Sequence, residues 1–553
     1  LPLMRKQKRL TVTALLAALC VLLAAGCGQQ ESGMELSVCV GGSYATLDPI
    51  YAEDIPSQTV LVHLYENLMR VVADQAGNSN VVNGMAKSVE TEKNADGTVT
   101  CRFQLRSAKW SDGEKVTAED FVYAWQRLAD PDSHSPYAAL LSVVCGYQEA
   151  RLAKDMSLLQ VSAPSDTMFE VTLTGNYDWF LREVCTSPAT LPLRQDVVQR
   201  LKEAGSADGE AASWWQDPTA LVTNGPYVAE ELAEGSYLRL AASESYGTSQ
   251  SSPADLVFQF ASTAEEGQAL YDEKLVDAVW PLSEERLTEL SADEEWSPIP
   301  QLGTYAVVYN GAVDPFADRA IRQAFSLAVD RNALAELAGV TAQAAEGLIP
   351  PGVPGNGGED FRTSGGALLD NENYAERCQE ARRVLSEAGY SGAGLGELEY
   401  LYVEDGNTGA VAQALCRQWK EVLDVQVVPR AVTNQELWTA LRSGEYALAG
   451  VSLEGAGNDA ECFLMDWISD SYDNVAGYES SAYDTLMSII ARASDGTARM
   501  GCLHDAEALL LEDYVLTPLY TNGTAWELRE NLTGACRDAR GWFSFSGVTR
   551  KTA

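Results

Sequence analysis

The stretch AKWSDGEKVTAEDFVYAWQRLADPD, residues 108–132, decides how this chain reads. Trp110-Ser111-Asp112-Gly113 is a strand end followed by a tight turn, with Gly113 suited to φ > 0 and Asp112 able to bond its own backbone. Thr117 is placed to cap a helix starting near Ala118-Glu119-Asp120, with acids in its first turn. Phe121, Trp125 and Leu128 follow at helical spacing and give that helix one apolar face. By physics alone this is a turn and an amphipathic helix. The particular combination of residues is what makes it specific.

The chain has 553 residues, too many for one compact core, so two or three domains are expected. Its 79 acidic and 39 basic residues give a formal net charge of −40, which disfavours nucleic acid and anionic lipid as partners. Arg5, Lys6, Lys8 and Arg9 precede an apolar run over 11–26 that is short for a spanning helix. The run ends in Leu23-Ala24-Ala25-Gly26-Cys27. Small residues before a cysteine resemble a bacterial lipobox, with Ala24 where Leu is usual. That resemblance implies a signal peptide over 1–27, lipidation of Cys27, a polar tether over 28–36 and an extracytoplasmic protein held to the cell membrane by lipid chains. The remaining nine cysteines are scattered with no C-x-x-C, which argues against zinc ribbons, iron–sulfur sites and redox motifs.

Along the chain, 35–40 reads as a first strand and 57–70 as a helix. Ala95-Asp96-Gly97 is a hairpin turn, 160–173 gives strands, and 222–240 holds two more. Residues 304–309 form a strongly apolar strand, 316–337 a long helix, and 373–388 a helix stopped by Gly389. Strand and helix keep alternating to Gly450, so the class is α/β. Enzyme signatures are missing. G-x-S-x-x-G at 450–455 is one residue too long for a nucleophile elbow, and His63, His134 and His504 lie far apart. There is no H-E-x-x-H, Walker A or dinucleotide fingerprint. Neither catalysis nor a cofactor nor a directly ligated metal is expected.

The 108–132 stretch resembles, nearly residue for residue, a segment of the bacterial extracytoplasmic solute-binding proteins of family 5, the oligopeptide and dipeptide receptors of ABC importers. Other segments match in the family's order. They are Leu47-Asp48-Pro49, then Leu64-Tyr65-Glu66-Asn67-Leu68, Ser187-Pro188 with Pro192, Thr223-Asn224-Gly225-Pro226-Tyr227, Asn310 to Arg331, Asn373 to Tyr390, and 471–484. The resemblance implies a two-lobed periplasmic-binding-protein-like fold of type II, large cluster C, with an extra subdomain on lobe I. Lobe I is expected over 37–73, 162–302 and 515–553, the extension over 74–161, and lobe II over 303–514.

In peptide-binding members the ligand lies extended between the lobes and pairs its backbone with both. The matching segments here are Pro56-Ser57-Gln58 and Ser452-Leu453-Glu454. The family's ligand-ammonium Asp falls on Ala456 and its neighbouring Trp on Leu453, counting back from Asn458 and Phe463-Leu464. Alanine cannot neutralise a buried ammonium, so Glu454 or Asp459 is the expected substitute. Otherwise the ligand has no free amino terminus, as in a blocked or cyclic peptide, a glycan or a metal chelate. Tyr44, Tyr177, Trp179 and Trp438 are candidate stacking aromatics. The resemblance implies a monomeric receptor that delivers a peptide or peptide-like ligand to an ABC permease. A sensor without import is the other role the same fold allows.

Overall fold

The computed structural model describes residues 33–205, 213–246, 253–455, 457–471, 473–493 and 495–551. Cys27 and Ala456 lie outside these. Two six-stranded sheets form the framework. The first runs, edge to edge, through Glu527–Leu528, Ala278–Trp280, Glu35–Val40, Asp255–Gln259, Tyr237–Ala242 and Tyr227–Ala233. The second runs through Gln343–Ala344, Leu516–Thr524, Ile299–Tyr309, Leu448–Glu454, Glu397–Val403 and Gln426–Val432. A four-stranded sheet, Ala86–Lys93, Val99–Leu105, Met168–Leu173 and Val161–Ser165, extends the first lobe. No helix among the described residues is long and apolar enough to cross a membrane.

The second sheet is buried on both faces, and the strand Ile299–Tyr309 shows how. Ala306 and Val308 belong to one apolar core, while Val307 and Tyr309 belong to the other. That is the period-two alternation of a strand covered by helices on each side. The first lobe and its extension share one continuous core that includes Leu36, Val38, Phe103, Trp125 and Phe169.

The 108–132 stretch folds as its residues dictate. Gly113 has φ +94° and donates to the Trp110 carbonyl at 2.9 Å. The helix Ala118–Ala129 opens on a capping box between Thr117 and Asp120. The Asp120 carboxylate also accepts the buried Trp110 indole N–H at 3.2 Å. At the far end of that helix, Arg127 grips Asp48 through two bonds of 2.6 and 2.5 Å. The Trp214 indole donates to the same carboxylate at 2.8 Å. Asp48 and the helix thus lock the lobe to its extension.

Four sequence expectations need correcting. The helix expected over 57–70 is Ile55–Leu64, started by the Asp54 cap and Pro56. It stops because Gly225 N–H takes the Leu64 carbonyl at 2.9 Å, and Asn224 exchanges two 3.0 Å bonds with the Glu66 backbone. A Cβ at 225 would sit 2.5 Å from the Leu64 carbonyl carbon, so only glycine permits this approach. The helix expected over 316–337 is two, Arg319–Leu327 and Arg331–Ala338, because Asp330 caps a fresh start on Ala333 N–H. The strands Val161–Ser165 and Met168–Leu173, cut at 162 by the expected boundary of lobe I, both pair in the extension's sheet. Leu516–Thr524, placed in lobe I by the 515 boundary, pairs with Ile299–Tyr309 in the second sheet.

All nine cysteines among the described residues are free thiols. His63 is buried, with Nδ1 2.6 Å from the Thr59 carbonyl and Nε2 accepting Phe545 N–H at 3.0 Å. This arrangement needs the neutral ring, and burial pushes its pKa down to about 4. A pKa depressed below the unfolded value of about 6.5 contributes stability that is complete above pH 6.5. That stability is lost as pH falls through 4. About 3 kcal/mol should disappear between roughly pH 6.5 and 4. Urea unfolding of wild type and His63→Gln across this range should show the loss only in wild type.

Candidate functional site

A cleft of about 960 Å³ lies between the two lobes. One wall comes from the residues leading into the helix Ile55–Leu64, from Tyr137 and from Pro188. The other comes from Val451–Gly455 and from the helix Asn434–Ser443, which presents Trp438. The floor includes Leu302, Gly303 and Asn522 on the strands that join the lobes.

The strand Leu448–Glu454 explains why this wall is reactive toward a backbone. On one side it pairs along its whole length with Ile299–Tyr309, from Tyr309↔Leu448 to Gly303↔Glu454. On the other side it pairs with Glu397–Val403 only at Leu448 and Ala449. From Val451 onward that second edge meets no strand among the described residues, and these residues line the cleft. Unpaired N–H and C=O groups on a strand edge are a template for an extended chain. Ser452 and Glu454 are exposed and Leu453 is half-buried.

The mouth of this edge is acidic. Glu454 and Glu53 both line the cleft, on different walls. Desolvation pushes the Glu454 carboxyl above its usual range. A Ser452 hydrogen bond offsets part of this, and repulsion from Glu53 adds to it. Desolvation likewise raises Glu53, with Asp54 adding repulsion. Tyr137 feels both charges, its phenol raised first by desolvation and then by Glu53, with Glu454 adding less. Its hydroxyl donates to the Ala52 carbonyl at 3.0 Å and accepts from Gln58 Nε2 at 3.1 Å. Deeper in the cleft, desolvation and the neighbouring Asp473 push Asp466 up to about 7.

The sequence candidates divide sharply. Ser452, Leu453, Glu454, Trp438 and Gln58 line the cleft. Pro56 does not, and Ser57 is buried, its hydroxyl accepting from Ala45 and Thr46 N–H groups. Their backbone forms the first turn of a helix, so Pro56-Ser57-Gln58 offers no extended edge. Asp459 is buried away from the cleft and held by Arg499 at 2.8 Å. Trp179 is buried, with its indole donating to Glu461 at 2.9 Å. Tyr177 packs edge-on against Trp179, and Tyr44 against Trp215 and Phe260. Glu53 and Tyr137 were not foreseen. Glu53 lies four residues after the Leu47-Asp48-Pro49 motif, but no periodicity marks it.

The profile of the bacterial extracellular solute-binding proteins, family 5 (middle region), matches residues 80–475. The chain belongs to this family. Over 541 residues it is 28% identical to the periplasmic oligopeptide-binding protein OppA of Salmonella typhimurium, covering 93% of each chain. It is also 28% identical over 481 residues to the probable deoxycholate-binding periplasmic protein YgiS of Escherichia coli, covering 86% of this chain and 85% of that one. Haemophilus influenzae OppA in complex with RPPGFSPFR superposes with a TM-score of 0.71 at 26% identity, covering 92% and 96%. These solute-binding proteins share the two-lobed α/β fold described above, and the family is one of binding proteins rather than enzymes.

In this family-5 chain Asp459 has a structural role. Arg499 bridges Asp459 and Glu461, at 2.8 and 2.7 Å. The same two carboxylates reach Arg182 and Trp179 of the first lobe, at 3.6 and 2.9 Å. Removing the cation would leave Glu461 with no ion pair among the described residues and Asp459 with only the longer Arg182 contact, at a cost of about 3–5 kcal/mol. Arg499→Leu should therefore lower the urea midpoint markedly. An unchanged midpoint would contradict the assignment.

Proposed function

We propose that this chain captures an extended peptide with a free amino terminus and hands it to a membrane permease of the ABC class. The open strand edge at Val451–Glu454, ending on Glu454 and facing Glu53, carries this reading. The ligand backbone adds to the edge, which gives affinity without reading side chains. Its ammonium sits between the Glu454 and Glu53 carboxylates, so Glu454 does the work that Ala456 cannot. The raised Glu454 carboxyl supports this, because an arriving cation offsets the desolvation that raises it and relieves the smaller repulsion from Glu53. Trp438 and the roomy, partly polar walls accept varied side chains.

On this reading the ligand stabilises a closed arrangement of the lobes, which bend where Ile299–Tyr309 and Leu516–Thr524 leave the second sheet. The protein acts as a monomer outside the cytoplasm, tethered through lipid on Cys27. The peptide-binding names of relatives such as OppA support the ligand class. The permease and its ATPases supply the energy, and this chain supplies recognition.

Native mass spectrometry of the purified mature protein, followed by release and fragmentation of what it carries, tests the proposal. Peptides with free amino termini are expected. Glu454→Gln should bind them roughly 30-fold more weakly. A glycan, a blocked peptide or a metal chelate in the cleft, or full affinity in the variant, would overturn it.

A further inference from the structure

Arg537 stands apart from the other arginines of this chain. It lines the interlobe cleft, at the start of the short strand pair Cys536–Arg537 and Phe543–Ser544. Its Nε and Nη1 are buried and meet no hydrogen-bond acceptor among the described residues. Other arginines also have an orphaned nitrogen, but each holds a partner elsewhere on its guanidinium. Arg499 has Asp459 and Glu461, Arg362 has Glu507, and Arg377 has the Val329 carbonyl. The nearest carboxylate in sequence to Arg537, Asp538, is engaged by Arg540 at 2.8 Å. The Arg537 guanidinium lies 6.0 Å over the Phe543 ring instead. Gly541 lies against it. A Cβ there would come 2.9 Å from Ile55 Cδ1 and 3.5 Å from Arg537 Nη2.

An unpaired guanidinium in a partly desolvated wall is costly, and a carboxylate fits its planar fork in two parallel bonds. Burial already pulls its pKa down to about 10, against the help of Asp538. We infer that Arg537 is an anion subsite of the cleft and takes a carboxylate of the bound ligand. The inference rests on the peptide reading above and deepens it. The acids at Glu454 and Glu53 take the cationic end, and Arg537 selects for a carboxylate elsewhere on the same ligand. That carboxylate is either the peptide's C-terminus or an acidic side chain.

Three synthetic peptide pools with free amino termini distinguish the cases on protein stripped of ligand. The first lacks Asp and Glu and ends in a free carboxyl. The second is the same pool as C-terminal amides. The third contains Asp and Glu but ends in amides. Retention of the first pool roughly tenfold or more above the second assigns the C-terminus, and retention of the third above the second assigns a side chain. In Arg537→Met either preference should vanish, while the thermal midpoint without ligand stays the same or rises. Arg537→Lys should keep part of the preference, as a charge without the fork. Equal retention of all three pools by wild type, a preference that survives Arg537→Met, or failure of that variant to fold would each overturn the inference. No retention from any pool would overturn the peptide reading itself, and this inference with it.

Discussion

Two strands that lie side by side hold this molecule together and leave it able to bend. Ile299–Tyr309 and Leu516–Thr524 pair through the centre of the second sheet, and the pairing persists to Ile299↔Thr524 at its rim. Beyond that rim the chain reaches the first lobe almost at once, with Glu527–Leu528 adding to the edge of the first sheet. The Trp280 indole fastens the junction through Thr524 Oγ1 at 2.8 Å. Because both crossings leave from one place, the lobes can only meet face to face, and the cleft between them is floored by the crossing strands. The strand Leu448–Glu454 neighbours Ile299–Tyr309, so its open edge is delivered to that cleft by the same pairing.

At a second contact between the lobes, buried charges sit beside apolar packing, where Cys462 joins the first lobe's core. Asp459 and Glu461 sit between Arg499, whose helix packs into the second lobe's core, and Arg182 with Trp179 of the first. Buried ion groups of this kind add little net stability over apolar packing but tolerate only one geometry. The junction therefore sets how the lobes face each other wherever this contact is made. In the cleft, by contrast, Arg537 has buried nitrogens that meet no acceptor among the described residues, and Glu454 feels the like charge of Glu53, which suits a binding site better than a core.

Much of this was legible in the chain. Turn chemistry at Asp112-Gly113, the capping residues Thr117 and Asp120, and the alternation at 304–309 each impose local geometry, so they could be read residue by residue. Expectations failed where geometry comes from partners distant in sequence. The helix ending at Leu64 is stopped by Gly225, some 160 positions away, and nothing near residue 64 announces it. Strand patterns do not say which sheet a strand joins, so boundaries at 162 and 515 split Val161–Ser165 from the extension and put Leu516–Thr524 in lobe I. At the site, the sequence offers Glu454 only as a substitute for Ala456, because the glycine-rich run after it carries no register. Strand register, with Glu454 opposite Gly303, is what places it in the cleft. Asp459 was indistinguishable from Glu454 by type and was separated from it only by burial beside Arg499. Arg537 carried no sequence signal, because its distinction is the lack of a partner.

The central claim is that ligand is bound by strand addition at Val451–Glu454. Hydrogen–deuterium exchange with and without a peptide that the protein retains tests it directly. The account predicts that every second amide of Val451–Glu454, those on the edge away from Ile299–Tyr309, becomes strongly protected on binding, because the free edge acquires partners. Saturated binding with no change in exchange at these residues would contradict it.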